Sequence, residues 1–160
     1  MIPIKSERDL RIMRKSCEIA ANVLDEICRL AVPGVSTWEL DRAAKRIMEK
    51  HHCRSAEYKY KCGPLSYPGY VCISVNDQVI HGIGSKERIL KDSDIVSFDC
   101  ATIFQGFVGD NTRTVFIGEP SPEVRRLVET TAEALNLGIE MARPGNRVGD
   151  ISAAIQRHVE

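Results

Sequence analysis

The chain has 160 residues, enough for one domain with a core of its own. Its 22 Lys and Arg balance 22 Asp and Glu, which argues against a nucleic-acid partner or a patch for anionic membrane. Its apolar stretches fall short of the about 20 residues that a membrane span needs. The start, Met1-Ile2-Pro3-Ile4-Lys5-Ser6, lacks a signal-peptide layout, so the expectation is a cytoplasmic protein with no membrane partner.

In chain order, the first element reads as a helix capped by Ser6, with Asp9 at its third position. Leu10, Met13, Cys17, Ala20, Ala21, Leu24, Ile27 and Cys28 recur at helical spacing, and Val32-Pro33-Gly34 ends the run. Ser36-Thr37-Trp38-Glu39 is a capping box that opens a second helix, to about Lys50. Residues 54–118 read as β-rich. Val71 to Val75, turning at Asn76-Asp77 into Gln78 to Ile80, predicts one hairpin. Ile95 to Phe104 and Phe107 to Ile117, around Gln105-Gly106, predict another. A third helix starts at Ser121-Pro122 and runs towards Ala142. After Pro144-Gly145 a fourth runs from about Gly149 to the end.

Residues 17–49 laid on residues 128–160 agree at nine positions, among them Leu24/Leu135, Pro33/Pro144, Gly34/Gly145 and Arg46/Arg157. Two amphipathic helix pairs could converge this far, but the shared Pro-Gly in an ungapped register favours duplication. The first copy continues into strands, whereas the second stops at Glu160, so a complete duplication would run to roughly 230 residues. The expectation is a truncated chain of one domain over 1–160. Residues 1–118 would be the first half-repeat, and 119–160 the start of the second.

The six cysteines form no CxxC pair and are expected to be free thiols, mostly buried. The four histidines show no HxxxH spacing, which argues against a zincin site.

The second hairpin carries the chemistry. With Gln105-Gly106 as its turn, Ala101 faces Asp110, and Asp99 projects on the same face two residues away. Such diagonal neighbours sit about 7–8 Å apart. Two ionised carboxylates that close, on largely apolar strands, would be poorly solvated if both faces were buried, and would then need a partner. A divalent cation, or two about 3.5–4 Å apart, would serve. So would salt bridges, for instance with Arg113, or a protonated aspartate.

The run Ser74-Val75-Asn76-Asp77-Gln78-Val79-Ile80-His81-Gly82-Ile83 resembles a signature of the methionine aminopeptidases. Leu90 to Val96 with Asp99, and Gly106 to Thr114, are similar to two further stretches of that family, and the likeness extends over essentially the whole chain. The resemblance implies an α+β pita-bread fold of the creatinase and aminopeptidase kind. This chain would hold the first αα-β half and the two helices that open the second. It also implies metal-dependent removal of the N-terminal methionine of nascent polypeptides. Asp99 and Asp110 would bind two divalent metal ions (cobalt, manganese, iron or zinc), and His81 would act at the scissile bond as a catalytic, substrate-binding residue. Tyr67 and Cys72 would line the methionine pocket. The full-length protein would be a monomer, with the ribosome as a passing partner.

Asn111 and segment 59–66 depart from the family's common form, and the later histidine and two glutamate ligands have no counterpart among these residues. His158 precedes that region on a predicted helix and does not fill the role. One rival reading is a non-catalytic short paralogue acting as a binding or assembly module. Another is a proline-specific peptidase on the same fold, against which the His81 motif argues.

Overall fold

The computed structural model describes residues 3–160, apart from the side chain of Cys62. The expectation of a free thiol at Cys62 therefore lies outside the described residues, as does the reading of Met1 and Ile2. The chain divides into two compact units, Met1–Glu119 and Pro120–Glu160.

The first unit opens with α1 (Glu7–Leu30) and α2 (Thr37–Lys50). Both helices start at the expected capping boxes. Ser6 Oγ accepts the Asp9 N–H at 3.2 Å while Asp9 Oδ2 accepts the Ser6 N–H at 3.0 Å. Ser36 and Glu39 do the same at 3.2 and 2.9 Å. These reciprocal bonds satisfy N–H groups that a helix start leaves without partners. Strands β1 (Arg54–Ser55), β2 (Lys61–Cys62), β3 (Leu65–Ser66) and β4 (Cys72–Val75) follow, then the long β5 (Ile95–Phe104) and β6 (Phe107–Phe116).

β5 organises the unit. It pairs antiparallel with β6 along its whole length, and on its other edge with β4 and β1. Strand pleating sends alternate side chains to opposite faces. Val96, Phe98, Cys100 and Thr102 are buried, and Ser97, Asp99, Ala101 and Ile103 only half-buried. The buried side meets Ile19, Val23, Leu24 and Ile27 of α1 and Leu40, Ala44, Ile47 and Met48 of α2. The two helices thus cover one face of the sheet and leave the other accessible within this unit.

One expectation needs correction. Gln78 to Ile80 do not form a hairpin with Val71 to Val75; β4 takes β5 as its partner, with Cys72 opposite Asp99 and Val75 opposite Val96. Asn76 turns at φ +56° and the chain leaves the sheet, returning only where Ile73 N donates to Gly82 O at 2.9 Å. The exposed side chains of Val79 and Ile80 account for the difference, because their alternation with β4 buries nothing. On the β5–β6 hairpin the face that carries the carboxylates is the more open one. Asp99 is half-buried and Asp110 exposed.

The second unit holds α3 (Pro122–Met141), capped by Ser121, and α4 (Val148–Val159). Gly138 lets α4 approach: a Cβ there would lie 2.9 Å from Ile155 Cδ1. His158 of α4 lies 3.1 Å from Glu133 of α3. Gly34 and Gly145, matched in the sequence repeat, adopt nearly the same backbone angle, φ +93° and +94°. Among the described residues, no helix is long and apolar enough to cross a membrane.

Candidate functional site

The hairpin register is the expected one. Phe104 faces Phe107, Ala101 faces Asp110, and Asp99 faces Thr112. Gln105 (φ +48°) and Gly106 (φ +85°) make the tight turn that fixes this alignment. Thr112 Oγ1 donates to Asp99 Oδ1 at 2.8 Å and so orients that carboxylate. Gly109 lets α1 press on the strand beside Asp110, since a Cβ there would lie 2.5 Å from the Ser16 carbonyl oxygen. Arg113 projects to the opposite, helix-covered side, where it pairs with Asp25 of α1. It does not neutralise either carboxylate.

Asp110 therefore keeps a like-charged neighbour. Its carboxyl is pushed above the usual range, first by partial burial and then by the charge and side chain of Asp99. Both carboxylates open into a cleft of about 420 Å³ that also contains Glu57, Tyr60, Tyr67, Cys72 and His81.

His81 stands at φ +57°, a strained value for a residue with a Cβ. Its neighbour shows why the loop holds there. Gly82 N donates to Ser74 Oγ at 3.1 Å, and Ile73 N donates to Gly82 O. A Cβ on Gly82 would lie 2.1 Å from the Ile73 carbonyl oxygen. The Tyr67 hydroxyl, 2.7 Å from Gly82 O, ties the same loop from the cleft side.

Segment 59–66, which departs from the common form, builds the small β2–β3 hairpin. At its base Tyr67 N donates to Tyr60 O and Lys59 N to Tyr67 O, which sets Tyr60 and Tyr67 on the cleft rim. Cys72 lies next to Asp99 across β4 and β5. Burial pushes its thiol up to about 11, and the nearby Asp99 charge adds to the effect. Without a cation beside it the thiol stays protonated at neutral pH, so it is not a thiolate nucleophile.

All five sequence-predicted residues, Tyr67, Cys72, His81, Asp99 and Asp110, thus line one cleft. Glu57 was missed. Burial, followed more weakly by the charge of Asp99, raises its carboxyl to about 7 against three opposing hydrogen bonds. Nothing in the local sequence marks it, because its backbone partner, Ala101, lies 44 residues away.

Hard carboxylate oxygens that repel each other suit a divalent cation. Yet among the described residues, no group of three or more His, Cys, Asp or Glu is gathered to hold one. Asp99 and Asp110 fit such an ion as part of a donor set, not as the whole.

The profile of metallopeptidase family M24 matches residues 11–160. The chain belongs to that family. It is 42% identical to a methionine aminopeptidase of Aquifex aeolicus over 99% of its own length and 62% of that protein. With a methionine aminopeptidase of Escherichia coli K12 it shares 41% identity, over 99% of its own length and 59% of the relative. The crystal structure of the Thermotoga maritima methionine aminopeptidase superposes with a TM-score of 0.93 at 35% identity, covering 99% of this chain and 62% of that one. The prolidase of Pyrococcus furiosus, 21% identical with a TM-score of 0.81, shares the fold alone. This M24 chain therefore has the α+β pita-bread fold and spans about three fifths of the length of the methionine aminopeptidases it matches.

Proposed function

We propose that this M24 chain supplies the first part of a methionine aminopeptidase site, in which a cation-activated water hydrolyses the bond after an N-terminal methionine. The observation that carries the reading is the convergence of Asp99, Asp110 and His81 in one cleft. Two divalent cations held by Asp99, Asp110 and donors from outside these residues would acidify a water and polarise the substrate carbonyl. Such oxygen-rich donors accept cobalt, manganese, iron or zinc.

The chain's own residues have separate tasks in this reading. Thr112 fixes the Asp99 carboxylate. His81 steadies the substrate amide and the charge that develops on it. Tyr67 and the neutral Cys72 thiol wall the space for the methionine side chain. The same reading places the protein in the cytoplasm as a monomer, acting on nascent chains near the ribosome. It takes residues 1–118 as one half-repeat and 119–160 as the start of the next, a division supported by the matching Gly34 and Gly145 angles.

The scarcity of donors favours a second reading, a binding module that keeps the pocket without metal. Calorimetric titration with manganese separates the two, with Asp110→Asn as control. The catalytic reading expects binding by the parent protein and at least about 100-fold weaker binding by the variant, beyond what loss of an outer-shell partner causes. Equal binding by both would sink the ligand assignment. Metal-independent binding of Met-Ala-Ser would favour the module.

A further inference from the structure

Two short strands share the edge of β5 that faces away from β6. β4 pairs with residues 96–99 and β1 with residues 102 and 103, which leaves Cys100 and Ala101 in a gap. Backbone groups in such a gap still need partners. Ala56 N donates to Ala101 O at 2.9 Å, and there the backbone ladder of β1 stops. The Ala101 N–H is taken instead by a side chain, Glu57 Oε1 at 2.6 Å.

That carboxylate is itself held in place. Ser55 Oγ lies 2.8 Å from Glu57 Oε2 and 2.7 Å from the Tyr70 carbonyl oxygen. It also accepts the N–H groups of Glu57 and Tyr58 at 3.0 and 2.9 Å. Both oxygens of Glu57 are thus turned into the fold, although the side chain lines the cleft. The strand residue it grips is the one opposite Asp110 and two along from Asp99.

We infer that Glu57 is a positioning residue for the carboxylate pair: its side chain completes the ladder of β1 and fixes the β5 backbone at Ala101, and with it the placement of Asp99 and Asp110. The consequence for cation binding rests on the metal reading above; the clamp on Ala101 does not. A positioning role requires an acceptor at this reach. A purely electrostatic role requires only the negative charge.

Three variants separate these roles. Glu57→Ala removes the acceptor, Glu57→Gln keeps it without the charge, and Glu57→Asp keeps the charge but shortens the reach. Amide exchange at Ala101 and manganese affinity are measured for each. Glu57→Ala and Glu57→Asp are expected to speed Ala101 exchange at least about 10-fold and to weaken manganese binding about 10- to 100-fold. Glu57→Gln should stay within about 3-fold of the parent on both, since it keeps the orienting bond. Parent-like exchange in Glu57→Asp and Glu57→Ala would overturn the inference. So would a Glu57→Gln variant as impaired as Glu57→Ala. If Glu57→Ala does not fold, the Asp and Gln pair still decides. If the parent binds no manganese, the metal reading fails by itself and exchange at Ala101 still tests the clamp.

Discussion

Neighbouring residues of β5 live in opposite environments. Phe98 points under α1 and α2 and is fully buried, while Asp99, one residue on, points into the open cleft. The first side removes apolar surface from water, which stabilises the unit by about 1.5–3 kcal/mol for each large side chain. The other side gathers groups that prefer to be apart. Asp110 is held above its ordinary carboxyl range beside Asp99, and Glu57 is raised to about 7. The sheet therefore carries stability on one face and, on the other, acidic groups raised first by burial and then by the Asp99 charge, and substitutions on the two faces should separate cleanly.

The largest effect on stability is expected from the helix-covered face. Phe98→Ala should lower the unfolding free energy by about 3–5 kcal/mol in urea denaturation, because it leaves a cavity beneath two helices. A loss below about 1 kcal/mol would mean that this face is not the core. On the cleft face, Asp110→Asn should change stability by no more than about 0.5 kcal/mol, as expected for an exposed position. The same variant should lose manganese binding, so stability and binding move independently.

Glu57 gives an intermediate effect with a defined sign. Its folded carboxyl lies near 7, above the ordinary 4.5, so the folded state holds more protons than the unfolded state between these values. Stability must therefore fall as pH rises through that window and stay reduced above it. Glu57→Gln removes the titration. It should be more stable than the parent by about 3 kcal/mol at pH 8, with the difference fading towards pH 4.5. A pH-independent difference between the two melting curves would contradict the raised carboxyl.

A matched pair of leucines tests whether covering, rather than sequence, makes a core. Leu24 and Leu135 occupy matching places in the two helix–Pro-Gly–helix units, yet Leu24 is 2% exposed and Leu135 57%. Leu24→Ala should cost about 2–5 kcal/mol and Leu135→Ala less than about 1 kcal/mol in this chain. Equal costs would show that the second pair buries its apolar stripe in solution.

The elements legible in the sequence were those set by short-range rules. Ser6 and Ser36 announced their helices through bonds three residues away, and Gln105-Gly106 fixed the hairpin register and hence the shared face of Asp99 and Asp110. Residues 78–80 were misread because the pattern that suggests a strand says nothing about what covers it, and Val79 and Ile80 are exposed. Glu57 could not be found at all, since its role depends on a gap in pairing between strands far apart in the chain. Tyr67, Cys72 and His81 were reached by resemblance, not by spacing. Their common cleft depends on the Gly82 contact with β4.

That contact has a practical side for anyone who wishes to redesign the cleft. With a β4 carbonyl oxygen where any Cβ would go, position 82 is closed to substitution, whereas Val79, Ile80 and Ile83 around it face outward. A library that randomises those three would rewrite the loop's surface about a pinned point. Each member would be expected to keep its imidazole at the same address.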